Sequence, residues 1–212
     1  MKANPMAAPG VRARPQGSSG FISQCLGEFL GRLHRIDPHP AVLDLGVLCG
    51  GNIAFLGSRG CRVSVESLPI AAPPEPVSKD EKRAADKTPP MPRSPLSYPP
   101  ESFAGILAWD SVARMSSSDA VGFVETLRQL LLGGGVILAY FPGPPAAPKD
   151  SAGRYRIVAE DRLEVEPAPL TGIPQPAFQN REIYSLFSRL DVVRLSHLKS
   201  GTREVLVAKS RR

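Results

Sequence analysis

No apolar run in the chain approaches the roughly 18 residues that a membrane-crossing helix needs. Cysteine and histidine are scarce, at three each in 212 residues. Cys25, Cys49 and Cys61 are spaced 24 and 12 apart, which matches neither a CxxC metal pair nor an even disulfide framework. They read as buried free thiols in a reducing compartment, and hence a cytoplasmic location is expected. His34, His39 and His197 are scattered with no metal spacing and no nucleophile–base pairing, so no metal is expected and no histidine is nominated as catalytic.

A one-signed charge is also missing from the body of the chain. The formal net charge is +6, but it resides in two ends: Lys2, Arg12 and Arg14 at one, Lys209, Arg211 and Arg212 at the other. Between Phe21 and Ala208 basic and acidic residues balance, which argues against the basic face of a nucleic-acid surface. Residues 1–20 carry charge and Pro, Gly and Ser without an apolar stretch, the composition of a disordered leader and not of a secretory signal. Residues 210–212 read as a basic tail.

What the chain has in excess is proline, 23 residues, beside 19 glycines. Ten of those prolines lie between Pro69 and Pro100, around the mixed-charge run KDEKRAADK. That punctuation reads as an extended insert within one domain spanning 21–209, with room for a short helix over Lys79–Lys87.

Around the insert the apolar pattern alternates between helix and strand. Phe21 to Leu33 recurs at helical spacing, with Ser18 and Ser19 as cap candidates. AVLDLG is a short buried-strand run, Asn52–Arg59 a helix closed by Gly60, and CRVSVE a strand. After the insert, FAGILAWD reads as a strand. SSSDAVGFVETLRQLLL follows as a helix facing inward through Val121, Val124, Leu127 and Leu131, and GGGVILAYF as another buried strand. RYRIVAEDRLEVEP alternates like a hairpin, Asn180 caps a last helix, and DVVRLSHL with EVLVAK forms a closing antiparallel pair turning at Lys199–Gly201. Strands alternating with helices predict a largely parallel sheet covered on both faces.

Candidate chemistry concentrates in AVLDLGVLCGGNIAFLGSRGCRVSVE. A glycine-rich turn between a strand's end and a helix N-terminus lets backbone N–H groups approach a ligand, and an acid closing the next strand can bind a ribose diol. Glu66 lies 22 residues after Asp44, near the roughly 20 of that arrangement.

This stretch resembles the first motif of the class I S-adenosylmethionine-dependent methyltransferases, and the resemblance covers most of Phe21 to Lys209 apart from the insert. Asp44, Gly46 and Gly50 match the motif's acid and two of its glycines, while Leu48 stands at the middle glycine position. FAGILAWDSVARM is similar to the family's fourth strand and following turn. LRQLLLGGGVILAY is similar to its helix–turn–fifth strand, with Gly133 replacing the usual proline. The closing hairpin also matches.

The resemblance implies a Rossmann-like class I methyltransferase fold, with a mostly parallel central sheet, flanking helices and a C-terminal antiparallel hairpin. It implies S-adenosylmethionine as cofactor at Asp44, Gly46, Gly50, Gly51, Asn52 and Glu66, with Asp110 on the side of an unidentified small-molecule or protein acceptor. A nicotinamide-binding Rossmann domain would carry G-x-G-x-x-G and continue parallel, and fits less well. Each candidate also has a bland reading. The glycines make a turn, Asn52 caps a helix, Glu66 is a strand end, Asp110 caps a turn, Arg114 lies at the surface, and Trp109 packs against the sheet in preference to stacking on an adenine. An inactive domain of the same fold is the alternative. Leu48 and the missing third βα unit favour it, and the proline-rich segment would be its partner-docking site.

Overall fold

The computed structural model describes residues 19–68, 96–143, 151–169 and 178–211. Residues 1–18 and 69–95, with the short helix expected at 79–87, lie outside the described residues, while the last two residues of the leader expected at 1–20, Ser19 and Gly20, belong to a strand.

The first helix is α1, Gln24–Ile36, one turn later than the apolar periodicity suggests. The residues before it form a strand, β1, Ser19–Ile22. Ser23 is the cap in place of Ser18 and Ser19, its side chain accepting from the Leu26 N–H. Ser23 Oγ also donates to Glu204 Oε2 at 2.6 Å and lies 2.9 Å from the Tyr140 hydroxyl. The chain therefore leaves β1 for α1 at a point fixed to the central sheet. One stripe of α1 is buried, Cys25, Leu26, Phe29, Leu30 and Leu33.

The central sheet has six strands: β2 (Ala41–Asp44), β3 (Arg62–Val65), β4 (Phe103–Trp109), β5 (Leu131–Phe141), β8 (Asp191–His197) and β9 (Arg203–Ala208). Their spatial order is β3-β2-β4-β5-β9-β8. The pairs β2–β3, β2–β4 and β4–β5 are parallel, whereas β9 runs antiparallel to both β5 and β8. The expected closing hairpin is thus present, turning through Gly201 with φ +81°. Among the described residues no strand pairs with the outer edge of β3.

Alternation along the strands makes two cores. Ile137, Ala139 and Phe141 point toward α3 (Ser117–Leu130) and α4 (Asn180–Leu186), while Val136, Leu138 and Tyr140 point toward α1 and α2 (Gly50–Gly57). Gly105, in the middle of β4, has a close-packing cause: a Cβ there would lie 2.7 Å from Phe29 Cζ and collide with Leu33. α3 buries Ala120, Val124, Leu127 and Leu130. Val121 is instead 56% exposed, and Leu131, expected on the helix, is the first residue of β5. α4 is capped by Gln179 in a capping box with Glu182, so Asn180 is its first residue and not its cap.

RYRIVAEDRLEVEP does form a hairpin, β6 (Ser151–Ala159) and β7 (Arg162–Pro169). The sequence pattern did not show that β1 joins it. The three strands form a second, antiparallel sheet ordered β1-β7-β6. The end of the proline-rich stretch is also part of the fold. Leu96 is buried in the α3-side core, and Tyr98 meets Phe103 edge-on at 5.0 Å.

Candidate functional site

From β2 the chain goes outward to β3 on one side, and the next strand of the sheet, β4, lies on the other side of β2. This reversal makes a crevice at the carboxyl ends of the strands, where α/β sheets place ligands. The predicted residues gather there: Asp44 ends β2, Gly46 to Asn52 turn into α2, Glu66 follows β3, Trp109 ends β4 and Asp110 follows it.

Asp44 is 1% exposed. Its Oδ1 accepts from the Gly46 N–H at 2.9 Å and from the Trp109 indole N–H at 2.6 Å, and its Oδ2 from the Asn52 amide at 3.4 Å. Burial raises the Asp44 pKa above the ordinary carboxyl value, and these three hydrogen bonds oppose the rise. Gly46 is required by the neighbour it touches, since a Cβ there would lie 2.7 Å from Trp109 Cδ1. Gly50 has open space around it, whereas a Cβ on Gly51 would make ordinary contact with Arg156 at 3.6 Å.

Asn52 is not the helix cap. Cys49 occupies that position without a side-chain hydrogen bond, and Asn52 lies within the first turn, 1% exposed. Its amide pairs with the outer edge of β6, Nδ2 donating to the Tyr155 carbonyl at 3.0 Å and Oδ1 accepting the Ile157 N–H at 2.8 Å. A strand edge carries alternating donors and acceptors that require partners when buried. One primary amide supplies both here, as a neighbouring strand would.

Trp109 packs as its bland reading had it, and its backbone is unusual. It has φ +48°, where the β4–β5 register shifts, a conformation a bulky side chain adopts at a cost of about 1–2 kcal/mol. The buried indole stacks on Tyr155 at 5.0 Å and 10°, and Tyr155 on Tyr140 at 5.1 Å and 24°. Burial pushes both tyrosine hydroxyls well above their ordinary pKa. Glu66 accepts from the Tyr98 hydroxyl at 2.7 Å, a bond that raises the Tyr98 pKa. Asp110 is paired with Arg114, so that arginine is an internal partner and not a surface residue. Leu48, at the departed glycine position, is 57% exposed, and its carbonyl accepts from Arg154 at 2.7 Å.

The structure therefore brings Asp44, Gly46, Asn52 and Trp109 into direct contact. Glu66 is joined to them through its backbone N–H, which donates to the Asp44 carbonyl at 2.9 Å. Tyr98, Arg154 and Tyr155 complete the site and were not nominated from sequence. The hairpin pattern located the last two on a strand without showing that the strand docks here. Two cavities among the described residues, of about 260 and 130 Å³, lie elsewhere, one lined by α1 and residues 208–211, the other between α3 and α4. Both fall below the roughly 300–1,000 Å³ of a small-molecule site. Among the described residues no three His, Cys, Asp or Glu side chains converge as metal ligands. No helix there is long and apolar enough to cross a membrane.

No family model matches the sequence, and no curated protein matches it. Solved structures do resemble the fold. A SAM-dependent methyltransferase from Methanosarcina mazei is 14% identical, with 84% of this chain and 97% of that one covered and a TM-score of 0.50. An S-adenosylmethionine-dependent methyltransferase from Mesorhizobium loti is also 14% identical, covering 86% and 98%, with a TM-score of 0.51. A chain from the complex between the Haloferax volcanii Trm112 methyltransferase activator and a putative methyltransferase is 12% identical, covering 88% and 89%, at 0.51. Likeness at such identities is one of fold, and with the strand order above it gives the chain a Rossmann-like class I methyltransferase fold.

Proposed function

We propose that the chain is an S-adenosylmethionine-dependent methyltransferase whose cofactor crevice is shut in this structure, acting on a small-molecule or protein acceptor beside Asp110. The observation that carries this reading is the convergence of Asp44, Asn52 and Glu66 at the carboxyl ends of adjacent parallel strands, at the reversal of strand order. The fold neighbours, two of them SAM-dependent methyltransferases by name, support the same cofactor.

In kind, the residues suit a sulfonium nucleoside: a carboxylate at Glu66 for the ribose hydroxyls, and polar groups at Asp44 and Asn52 beside a glycine-bearing turn. In space they do not admit one in this arrangement, because Trp109, Tyr155 and Tyr98 already satisfy or cover them. No transfer geometry follows from the shut form. Methyl transfer asks of a protein chiefly the alignment of the acceptor with the sulfonium methyl, without a dedicated acid or base. The absence of a nominated catalytic histidine is consistent with that. Cys25, Cys49 and Cys61, all unbridged and buried, support the proposed cytoplasmic location.

The filled crevice also favours a second reading, a non-catalytic binding module of the same fold. Calorimetric titration with S-adenosylmethionine and S-adenosylhomocysteine, with nicotinamide dinucleotides as controls, separates the two. Micromolar binding of either sulfur nucleoside supports the enzyme, and silence both in the folded full chain and in a folded variant with the contacts that shut the crevice removed supports the module.

A further inference from the structure

We infer that strand β6 is a built-in plug of the crevice, latched on Asn52, and that the protein groups around it reproduce contacts a nucleoside ligand would make; ligand entry and β6 docking are mutually exclusive. The inference rests on the cofactor reading above and adds what controls access to the site.

Four observations carry it. The Tyr98 hydroxyl donates to Glu66 at 2.7 Å, the same O–H to carboxylate contact that a ribose hydroxyl would make. The close backbone approach permitted by Gly46 is used by the Trp109 indole, 2.7 Å from where a Cβ would stand. That indole is held by Asp44 despite a φ of +48°, and strain of this sort concentrates at ligand clamps and switches. The edge of β6 is bound by a side chain and not by a strand, through the two Asn52 hydrogen bonds at 3.0 and 2.8 Å. Finally, Arg154 on β6 donates to the Leu48 carbonyl of the glycine-rich turn at 2.7 Å, so the strand is fastened to the loop as well as to the helix.

Among the described residues β6 is the outer strand of its sheet and pairs with no strand but β7. It can leave the crevice while β7 remains paired with β1. The packing of Tyr155 against Trp109 and Tyr140 closes the space when the strand is in place. Each contact that favours the closed form lowers the fraction of molecules competent to bind, and the apparent dissociation constant rises in inverse proportion.

The test compares the full chain with Tyr98→Phe, Arg154→Ala and the double variant. These remove one imitating hydroxyl and one fastening guanidinium while leaving Asp44, Asn52 and Glu66 untouched. A thermal transition establishes that each is folded. S-adenosylmethionine is titrated into each, and amide exchange at Ile157 is followed with and without it. The expected result is binding roughly tenfold tighter or better in the double variant than in the parent chain, with Ile157 exchange accelerated by the nucleoside. Micromolar binding to the parent with Ile157 protection unchanged would mean that ligand and strand coexist, which overturns the plug and leaves the cofactor reading standing. A folded double variant with fast Ile157 exchange and no binding overturns the cofactor reading, and the inference with it.

Discussion

Asn52→Ala isolates the contact on which the docking of the second sheet turns. The substitution removes three buried hydrogen bonds, from Nδ2 to the Tyr155 carbonyl at 3.0 Å, from the Ile157 N–H to Oδ1 at 2.8 Å, and a longer one from Nδ2 to Asp44 Oδ2 at 3.4 Å that adds little. A made hydrogen bond contributes about 1 kcal/mol net, and a buried group left without a partner costs about 1–3 kcal/mol. Allowing some rescue by water at the strand edge, the loss is about 3 kcal/mol. For a domain of this size each kcal/mol moves the thermal midpoint by about 2–4 °C, so a fall of about 6–12 °C is expected. The assay is thermal and urea unfolding followed by circular dichroism. Asn52→Asp sharpens it, because the acceptor for Ile157 is kept while a carboxylate oxygen faces both the Tyr155 carbonyl and Asp44. At neutral pH this variant is expected to be less stable than the alanine, with the gap narrowing on acidification as burial favours its neutral form. A change within about 0.5 kcal/mol of the parent in Asn52→Ala, the ordinary range of a surface substitution, would refute the bracing role assigned to this side chain.

Gly105→Ala should cost about 2–3 kcal/mol, the expense of overpacking, since its Cβ would come 2.7 Å from Phe29 Cζ against a fully buried helix face; a urea midpoint equal to the parent's would contradict this. Asp44, its folded pKa raised by burial above 3.8, makes the folded form bind more protons than the unfolded one, so its contribution is present at low pH and is lost as pH rises from about the unfolded value through the folded one. Asp44→Asn is expected to abolish that part of the pH dependence while keeping an acceptor for Trp109 and Gly46, and an unaltered stability–pH slope would oppose the assignment. The Cys25 thiol, pushed up to about 12 by burial and by the nearby Glu204 carboxylate, should resist iodoacetamide at pH 8 until the protein unfolds; native-state labelling at the rate of a free thiol would disprove its enclosure.

Much of the fold was legible because its cause is local. The alternation and apolar runs of AVLDLG, FAGILAWD and GGGVILAYF specify β2, β4 and β5, and the turn at Gly201 specifies the closing hairpin. Errors fell where tertiary pairing overrides periodicity. Phe21 and Ile22 fit a helical stripe, yet pairing with Leu163 and Arg162 draws them into β1 and moves the cap to Ser23. Leu131 continues the apolar face of α3, but it pairs with Phe103 and begins β5.

The grouping of the candidate residues was legible in the sequence, and the way the protein's own side chains fill the space between them was not. Asp44, the glycine turn and Glu66 could be singled out as candidates because the strand–turn–helix pattern that lines a nucleotide crevice in other α/β folds is written in consecutive residues. Whether such a crevice is open depends on residues that arrive from elsewhere in the chain: Tyr98 from the end of the proline-rich segment, Trp109 from the end of β4, Arg154 and Tyr155 from a hairpin after β5. These side chains have the same chemistry as residues that bind ligands. A tyrosine hydroxyl on Glu66 or an indole N–H on Asp44 satisfies a carboxylate as a nucleoside or an ammonium would. Residue identity alone therefore cannot distinguish a crevice that recognises a ligand from one that recognises its own chain. The distinction lies in Asn52. A side-chain amide that completes the edge of β6 is built for a strand, and any nucleoside entering the crevice must displace that strand or go without the amide's two hydrogen bonds.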